Sequence, residues 1–156
     1  MTVIKHFVDV LEIAVRIERK GIELYRRLYE TIDSPKAKST FSYLAAEEEK
    51  HAGFFAKMLE KAADYTPRYE YPGEYGIFLN EMAAEIMKNA GGKGTAALDD
   101  AIQAGIEMEK ETILFYLELK HEGNFGPENE EILQKILDEE RSHWKKLVLL
   151  RDDAKF

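Results

Sequence analysis

The sequence predicts an all-α protein, an antiparallel four-helix bundle made of two helical hairpins joined by a long crossover that carries a short extra helix. Apolar residues recur at alternating intervals of three and four over four long segments, which is typical of amphipathic helices. Proline and glycine clusters interrupt this pattern only between the segments. In each half of the chain, moreover, a Glu-x-x-His pair follows a lone glutamate by about 30 residues, so the two halves repeat one pattern.

The first hairpin is predicted to consist of helices over about 3–32 and 35–62. The first helical pattern stops at Asp33-Ser34-Pro35. Ser34 can cap the second helix and Pro35 can occupy its first position, where the missing N–H has no cost. The two helices should therefore be antiparallel neighbours.

A crossover over about 63–94 separates the two hairpins. Pro67, Pro72 and Gly73 interrupt the helical pattern at its start. A shorter helix is expected over 75–89, ending at the glycine pair 91–92. The segment is too short to suggest a second domain.

The second hairpin is predicted over about 95–122 and 127–152, with the turn in Gly123-Asn124-Phe125-Gly126-Pro127. The chain has 156 residues and 45% hydrophobic content, enough for one substantial core. A single domain over residues 1–156 is the expectation.

Composition excludes several classes of function. The absence of cysteine excludes disulfides, thiolate metal sites and thiol redox chemistry, so an electron donor would have to be a separate protein. A net charge of -8 disfavours nucleic acid as a partner. The charged residues Lys5, Asp9, Glu12 and Arg16 near the N-terminus are unlike a signal peptide or a membrane span. A cytoplasmic protein without membrane contact is expected.

Six residues of metal-ligating type lie on the apolar stripes of the four long helices: Glu18, Glu48, His51, Glu109, Glu140 and His143. In an antiparallel hairpin, residues equidistant from the turn lie at the same height. The midpoint between Glu18 and Glu48 falls at Asp33, and the midpoint of the second glutamate pair also falls in a predicted turn. The six side chains should therefore converge at mid-height in the core.

Converging carboxylates require compensation, because unpaired buried charges cost many kcal/mol. Two divalent cations per chain would neutralise a formal charge of -4. A carboxylate-rich set with one imidazole per ion and no thiolate favours iron, with manganese as the second choice. The alternative interpretation of each Glu-x-x-His pair alone is an exposed i,i+3 contact on a helix surface.

The pattern resembles the ferritin-like di-iron bundles, in which two helices supply one glutamate each and two supply Glu-x-x-His. Length, crossover and the tyrosines Tyr25 and Tyr116, each seven residues after a lone glutamate, narrow the resemblance to the rubrerythrin-like branch. The resemblance implies that Glu48 and Glu140 bridge two metals.

Glu18 and Glu109 would then be terminal ligands. The chain departs from rubrerythrins proper in two ways: it lacks the cysteine-ligated module, and Thr112 stands where they carry an extra glutamate. In those proteins that glutamate exchanges with a histidine during peroxide reduction. A symmetric site with two permanent histidines is therefore expected here.

The resemblance implies an oxidoreductase that reduces peroxide or dioxygen at a di-iron site. Two alternatives stay open: an iron-oxidising storage or handling protein, and a bundle that its metal only stabilises. Tyr25 and Tyr116 are either core packing or catalytic candidates whose hydroxyls reach back to the carboxylates. The segment 65–75 is expected to cover a bundle face or to form a subunit contact, and a homodimer is expected.

The remaining acidic residues close to the predicted ligands project from other faces of their helices. Their predicted environment is solvent. These residues are Glu47, Glu49, Glu107, Glu111 and Glu139.

Overall fold

The computed structural model describes residues 4–62, 70–90, 97–122 and 125–154. These ranges contain five helices and no strand: α1 Phe7–Thr31, α2 Pro35–Ala62, α3 Gly73–Ala90, α4 Leu98–Glu122 and α5 Pro127–Ala154. The prediction of an all-α helical bundle is confirmed. None of these helices is both long and apolar enough to cross a membrane.

The four long helices form two hairpins that pack against each other. α1 packs mainly on α2, and α4 packs mainly on α5. Contacts of α2 with α5 and of α1 with α4 join the hairpins, while α3 lies against α4 and α1. The apolar stripes meet in a core whose largest buried side chains include Phe41, Phe55 and Phe115.

The turn between α1 and α2 matches its sequence signals. The hydroxyl of Ser34 accepts a hydrogen bond from the backbone N–H of Ala37 (3.3 Å), as an N-cap residue does. Pro35 is the first helical residue. At the start of α5, Gly126 has a φ of 80°, which favours glycine, and it directly precedes Pro127.

α1 begins at Phe7, not at about residue 3. The Asp9 carboxylate accepts hydrogen bonds from the backbone N–H groups of Lys5 and His6, both at 2.9 Å. These bonds cap the N-terminus of the helix at this point. The segment before it is used differently, because the carbonyl of Lys5 accepts a hydrogen bond from the N–H of Tyr71 (2.7 Å). The chain start thus ties the crossover to the bundle.

Smaller differences concern the other helix ends. α3 begins at Gly73 instead of residue 75 and continues to Ala90, α4 begins at Leu98 instead of about 95, and α5 continues to Ala154 instead of 152. Asp99 and Asp100 in the first turn of α4 suit its positive N-terminal dipole. The predicted stop at 91–92 and the first turn residues 123–124 lie outside the described ranges.

The contact between α3 and the chain start yields a test at a glycine. A Cβ placed on Gly76 would overlap the carbonyl oxygen of Ile4. We expect Gly76→Ala to lower the free energy of unfolding by about 1–3 kcal/mol, because backbone must move. Denaturant unfolding measures the change.

The matched control is Gly53→Ala in α2, where nothing lies within 4 Å of the added carbon. There the higher helix propensity of alanine should raise stability by about 0.5–1 kcal/mol. Equal effects of the two substitutions would contradict the described packing of α3.

Candidate metal centre

The six residues singled out from the sequence are all buried in one layer of the bundle. None is more than 4% exposed, although all are ionisable. α1 and α4 supply one glutamate each, and α2 and α5 supply one Glu-x-x-His pair each. The residues are Glu18, Glu48, His51, Glu109, Glu140 and His143.

Their ligand atoms form two overlapping groups, each compact enough to surround one cation. One group combines Glu18 and His51 with Glu48 and Glu140, and the other combines Glu109 and His143 with the same two glutamates. Within each group the potential ligand atoms lie within 4.8 Å of one another. Glu48 and Glu140 therefore lie between the two positions.

Both imidazoles turn Nδ1 toward the carboxylates. Nδ1 of His51 lies 2.8 Å from Oε1 of Glu140 and 3.7 Å from Oε2 of Glu18. Nδ1 of His143 lies 3.2 Å from Oε1 of Glu48 and 3.4 Å from Oε2 of Glu140. The two rings are nearly parallel, with centroids 5.6 Å apart. The α2–α5 side of the layer thus presents two equivalent nitrogens.

Two tyrosines flank the layer, each reaching across to the other hairpin. The Tyr25 hydroxyl donates a hydrogen bond to Oε1 of Glu109, and the Tyr116 hydroxyl donates one to Oε1 of Glu18, both at 2.6 Å. Burial, together with the adjacent glutamate charge, raises the pKa of each tyrosine well above its usual value. The hydroxyls therefore remain hydrogen-bond donors at neutral pH.

In the absence of metal, burial shifts the titration of the lone glutamates upward. Burial, and then the charge of Glu48, raises the pKa of Glu18 to about 8. Burial and the charge of Glu140 likewise raise the pKa of Glu109 well above its usual value. The shifts favour the protonated form of these two carboxyl groups, and a bound cation would replace the protons.

The histidines and Glu140 respond to their mutual contacts. Burial lowers the pKa of His143, but hydrogen bonds to Glu140 and Glu48 outweigh burial and raise it to about 9. Burial also lowers the pKa of His51. Hydrogen bonds to Glu140 and Glu18 again outweigh burial and raise this pKa overall. Burial acts to raise the pKa of Glu140, but its hydrogen-bonded contacts lower it overall. Without metal, the carboxyl and imidazole groups of this layer therefore bind protons in place of cations.

Unpartnered oxygens show that the layer is incomplete as a hydrogen-bonded network. Oε2 of Glu18 and Oε2 of Glu140 are buried and have no hydrogen-bond partner among the described residues. Buried carboxylate oxygens normally have partners, since an unsatisfied one costs free energy. Glu18 belongs to one of the groups described above and Glu140 to both, so a cation of the hard, oxygen-binding type fits the residues present.

Thr112 is also buried in this region, and its hydroxyl has no partner among the described residues. It lies one helical turn after Glu109 on α4. At the corresponding position of α1, Gly21 lies against the side chain of Glu48, with 3.4 Å between a constructed Cβ and Cγ of Glu48. Neither position carries a further carboxylate.

The prediction that the flanking acidic residues face only solvent was wrong for Glu139 and incomplete for Glu47. Nε2–H of His51 donates a hydrogen bond to Oε2 of Glu139 (2.6 Å). Glu47 is mostly buried, and its Oε2 lies 4.0 Å from Nε2 of His143. The sequence contains a signal for this role, because a glutamate directly precedes the Glu-x-x-His pair in each half of the chain.

Comparison with known proteins agrees with this arrangement. The family model for rubrerythrin matches residues 9–150, nearly the whole chain. The chain belongs to the rubrerythrin family. No match was found among curated proteins.

One similar solved structure is a candidate ferritin-like diiron-carboxylate protein from Thermotoga maritima. The two chains share 25% identity and a TM-score of 0.71, over 99% of each chain. This member of the rubrerythrin family thus has a ferritin-like fold with a Glu and His cluster that suits a dinuclear metal site.

The tyrosine hydroxyls give a test in the metal-free protein. Tyr116→Phe removes the partner of a buried carboxyl oxygen, so we expect the free energy of unfolding to fall by about 1–3 kcal/mol. Thr112→Val is the matched control, since it removes a buried hydroxyl that has no partner. It should leave stability unchanged or raise it by about 1 kcal/mol. A loss of stability in Thr112→Val equal to that in Tyr116→Phe would contradict the described hydrogen bonding.

Proposed function

We propose that this protein is a di-iron oxidoreductase that reduces peroxide or dioxygen at a dinuclear site with two metal ions per chain. The observation that carries the proposal is the pair of four-residue groups that share Glu48 and Glu140. Two cations in these positions would meet six protein ligands and offset four carboxylate charges. Membership of the rubrerythrin family supports the same interpretation.

The residues divide into bridging and terminal ligands. Glu48 and Glu140 would bridge because they belong to both groups, whereas Glu18 and Glu109 each belong to one. Tyr116 occupies Oε1 of Glu18 and leaves its unpartnered Oε2 to face a cation. His51 and His143 would ligate through Nδ1, the nitrogen that each turns inward.

Iron is favoured over manganese by ligand type, because imidazole suits iron whereas an all-oxygen set would suit manganese. When bound, a reduced iron pair supplies two electrons, and peroxide with two electrons and two protons gives two water molecules. The residues of the chain bind the ions, exclude bulk water and hold protons nearby. Electrons must then return from a donor, which we propose is a separate protein because this chain has no cysteine.

Tyr25 and Tyr116 have a positioning role in this proposal. Their hydroxyls hold Glu109 and Glu18 in fixed orientations, and their raised pKa values keep the hydroxyl protons in place. Thr112 supplies no carboxylate, so both histidines should stay ligated in both oxidation states. We further propose a homodimeric assembly.

The first test is turnover. The metal-free chain is loaded anaerobically with two Fe(II) per chain and mixed with peroxide or with air-saturated buffer. We expect one of these oxidants to oxidise the bound iron much faster than free Fe(II), with repeated turnover when reductant is added. Oxidation no faster than that of free Fe(II) would contradict the proposal, and uptake of many irons per chain into a large assembly would indicate storage instead.

The second test is the metal content of ligand variants. Glu140→Ala removes a shared residue and should lower binding at both positions, whereas Glu18→Ala should lower it at one and leave about one ion per chain. Glu49→Ala is the control, because this exposed residue pairs with Arg26 outside the layer. Two ions per chain in Glu140→Ala would contradict the assignment of the shared ligands.

A further inference from the structure

The two histidines differ in what their outer ring nitrogens contact. Nε2–H of His51 donates to Glu139 at 2.6 Å, whereas Nε2 of His143 lies 4.0 Å from Glu47, beyond hydrogen-bond range. The two carboxylates are nevertheless in equivalent places. Each directly precedes a shared glutamate, and each faces the histidine of the opposite hairpin.

A lysine contacts the outer carboxylate in only one half of the chain. Lys50 Nζ lies 2.8 Å from Oε1 of Glu47, one turn further along α2. The hydrogen bond to Lys50 also holds the pKa of Glu47 below its usual value. In α5 the corresponding residue is the uncharged Ser142: Glu47 to His51 reads EEEKH, and Glu139 to His143 reads EERSH.

The competing ion pair lies at the surface. The Lys50 side chain is 66% exposed, so its attraction for Glu47 is partly screened by solvent. Glu47 and Glu139 are both more buried, at 14% and 31% exposure. A change at residue 50 or 142 can therefore redirect a carboxylate without disturbing the core.

We infer that Glu139 is a positioning residue for His51, and that the two metal positions consequently differ in affinity, with the His51 position filling first. This inference rests on the proposed dinuclear site. A carboxylate that accepts the outer N–H of a ligating imidazole fixes the ring and its tautomer and makes the inward nitrogen a stronger ligand. Loss of such a partner typically costs about 10–100-fold in metal affinity.

The test adds Co(II) stepwise to the metal-free full chain and follows its absorption bands. We expect two binding steps whose dissociation constants differ by about 10–100-fold. Crystals grown with one equivalent of Co(II) should show anomalous scattering mainly among Glu18, His51 and the shared glutamates.

Variants at the outer residues separate this inference from simple packing. Glu139→Ala should weaken the first step, and Lys50→Ser, which releases Glu47 for His143, should strengthen the second. Ser142→Lys on the exposed surface of α5 should weaken the first step even if Glu139→Ala fails to fold. The double variant Lys50→Ser with Ser142→Lys should reverse the filling order, and Glu49→Ala should change neither step.

Two outcomes would overturn the inference while leaving the proposed function intact. One is equal affinity at both positions that does not respond to Glu139→Ala or Ser142→Lys. The other is first occupancy at the His143 position in the unmodified chain. A chain that binds no Co(II), Fe(II) or Mn(II) would instead overturn the proposed function, and this inference with it.

Discussion

The burial of four carboxyl groups and two imidazoles in one layer of the core is the constraint on which the rest of the structure depends. Removing charged groups from water costs several kcal/mol each unless partners replace the lost hydration. Helices around this layer supply some of those partners, as tyrosine hydroxyls and outer carboxylates. The oxygens that remain unpartnered on Glu18 and Glu140 would face the cations of the proposed dinuclear site.

Duplication explains how so polar a layer can be built from ordinary helices. Each hairpin brings a lone glutamate and a Glu-x-x-His pair to the same height, but the tyrosine that binds each lone glutamate comes from the other hairpin. Tyr25 of the first hairpin donates a hydrogen bond to Glu109 of the second, and Tyr116 of the second donates one to Glu18 of the first. The polar layer therefore couples the two hairpins. Where equivalent residues differ between the halves, as Lys50 and Ser142 do, the two proposed metal positions can have different properties.

The helices and the six central residues could be predicted from sequence because they follow from the period of one helix and from chain length. A stripe at intervals of three and four identifies which side chains point inward, and the midpoint of a hairpin sets their height. The outer partners could not be predicted in this way. Glu139 is off the stripe of its own helix, yet it meets His51 from a neighbouring helix, and periodicity says nothing about contacts between helices. The predicted start of α1 at about residue 3 is wrong for a similar reason. The hydrogen bonds of Asp9 and the contact of Lys5 with Tyr71 override the helical pattern before Phe7.

The most direct test of this account is the location of metal in the protein. Crystals of the full chain loaded with Fe(II) under anaerobic conditions should be measured on both sides of the iron absorption edge. The account predicts two anomalous peaks per chain, both in contact with Glu48 and Glu140, one beside His51 and the other beside His143. Iron bound only at surface carboxylates, or none in the buried layer despite saturating metal, would contradict it.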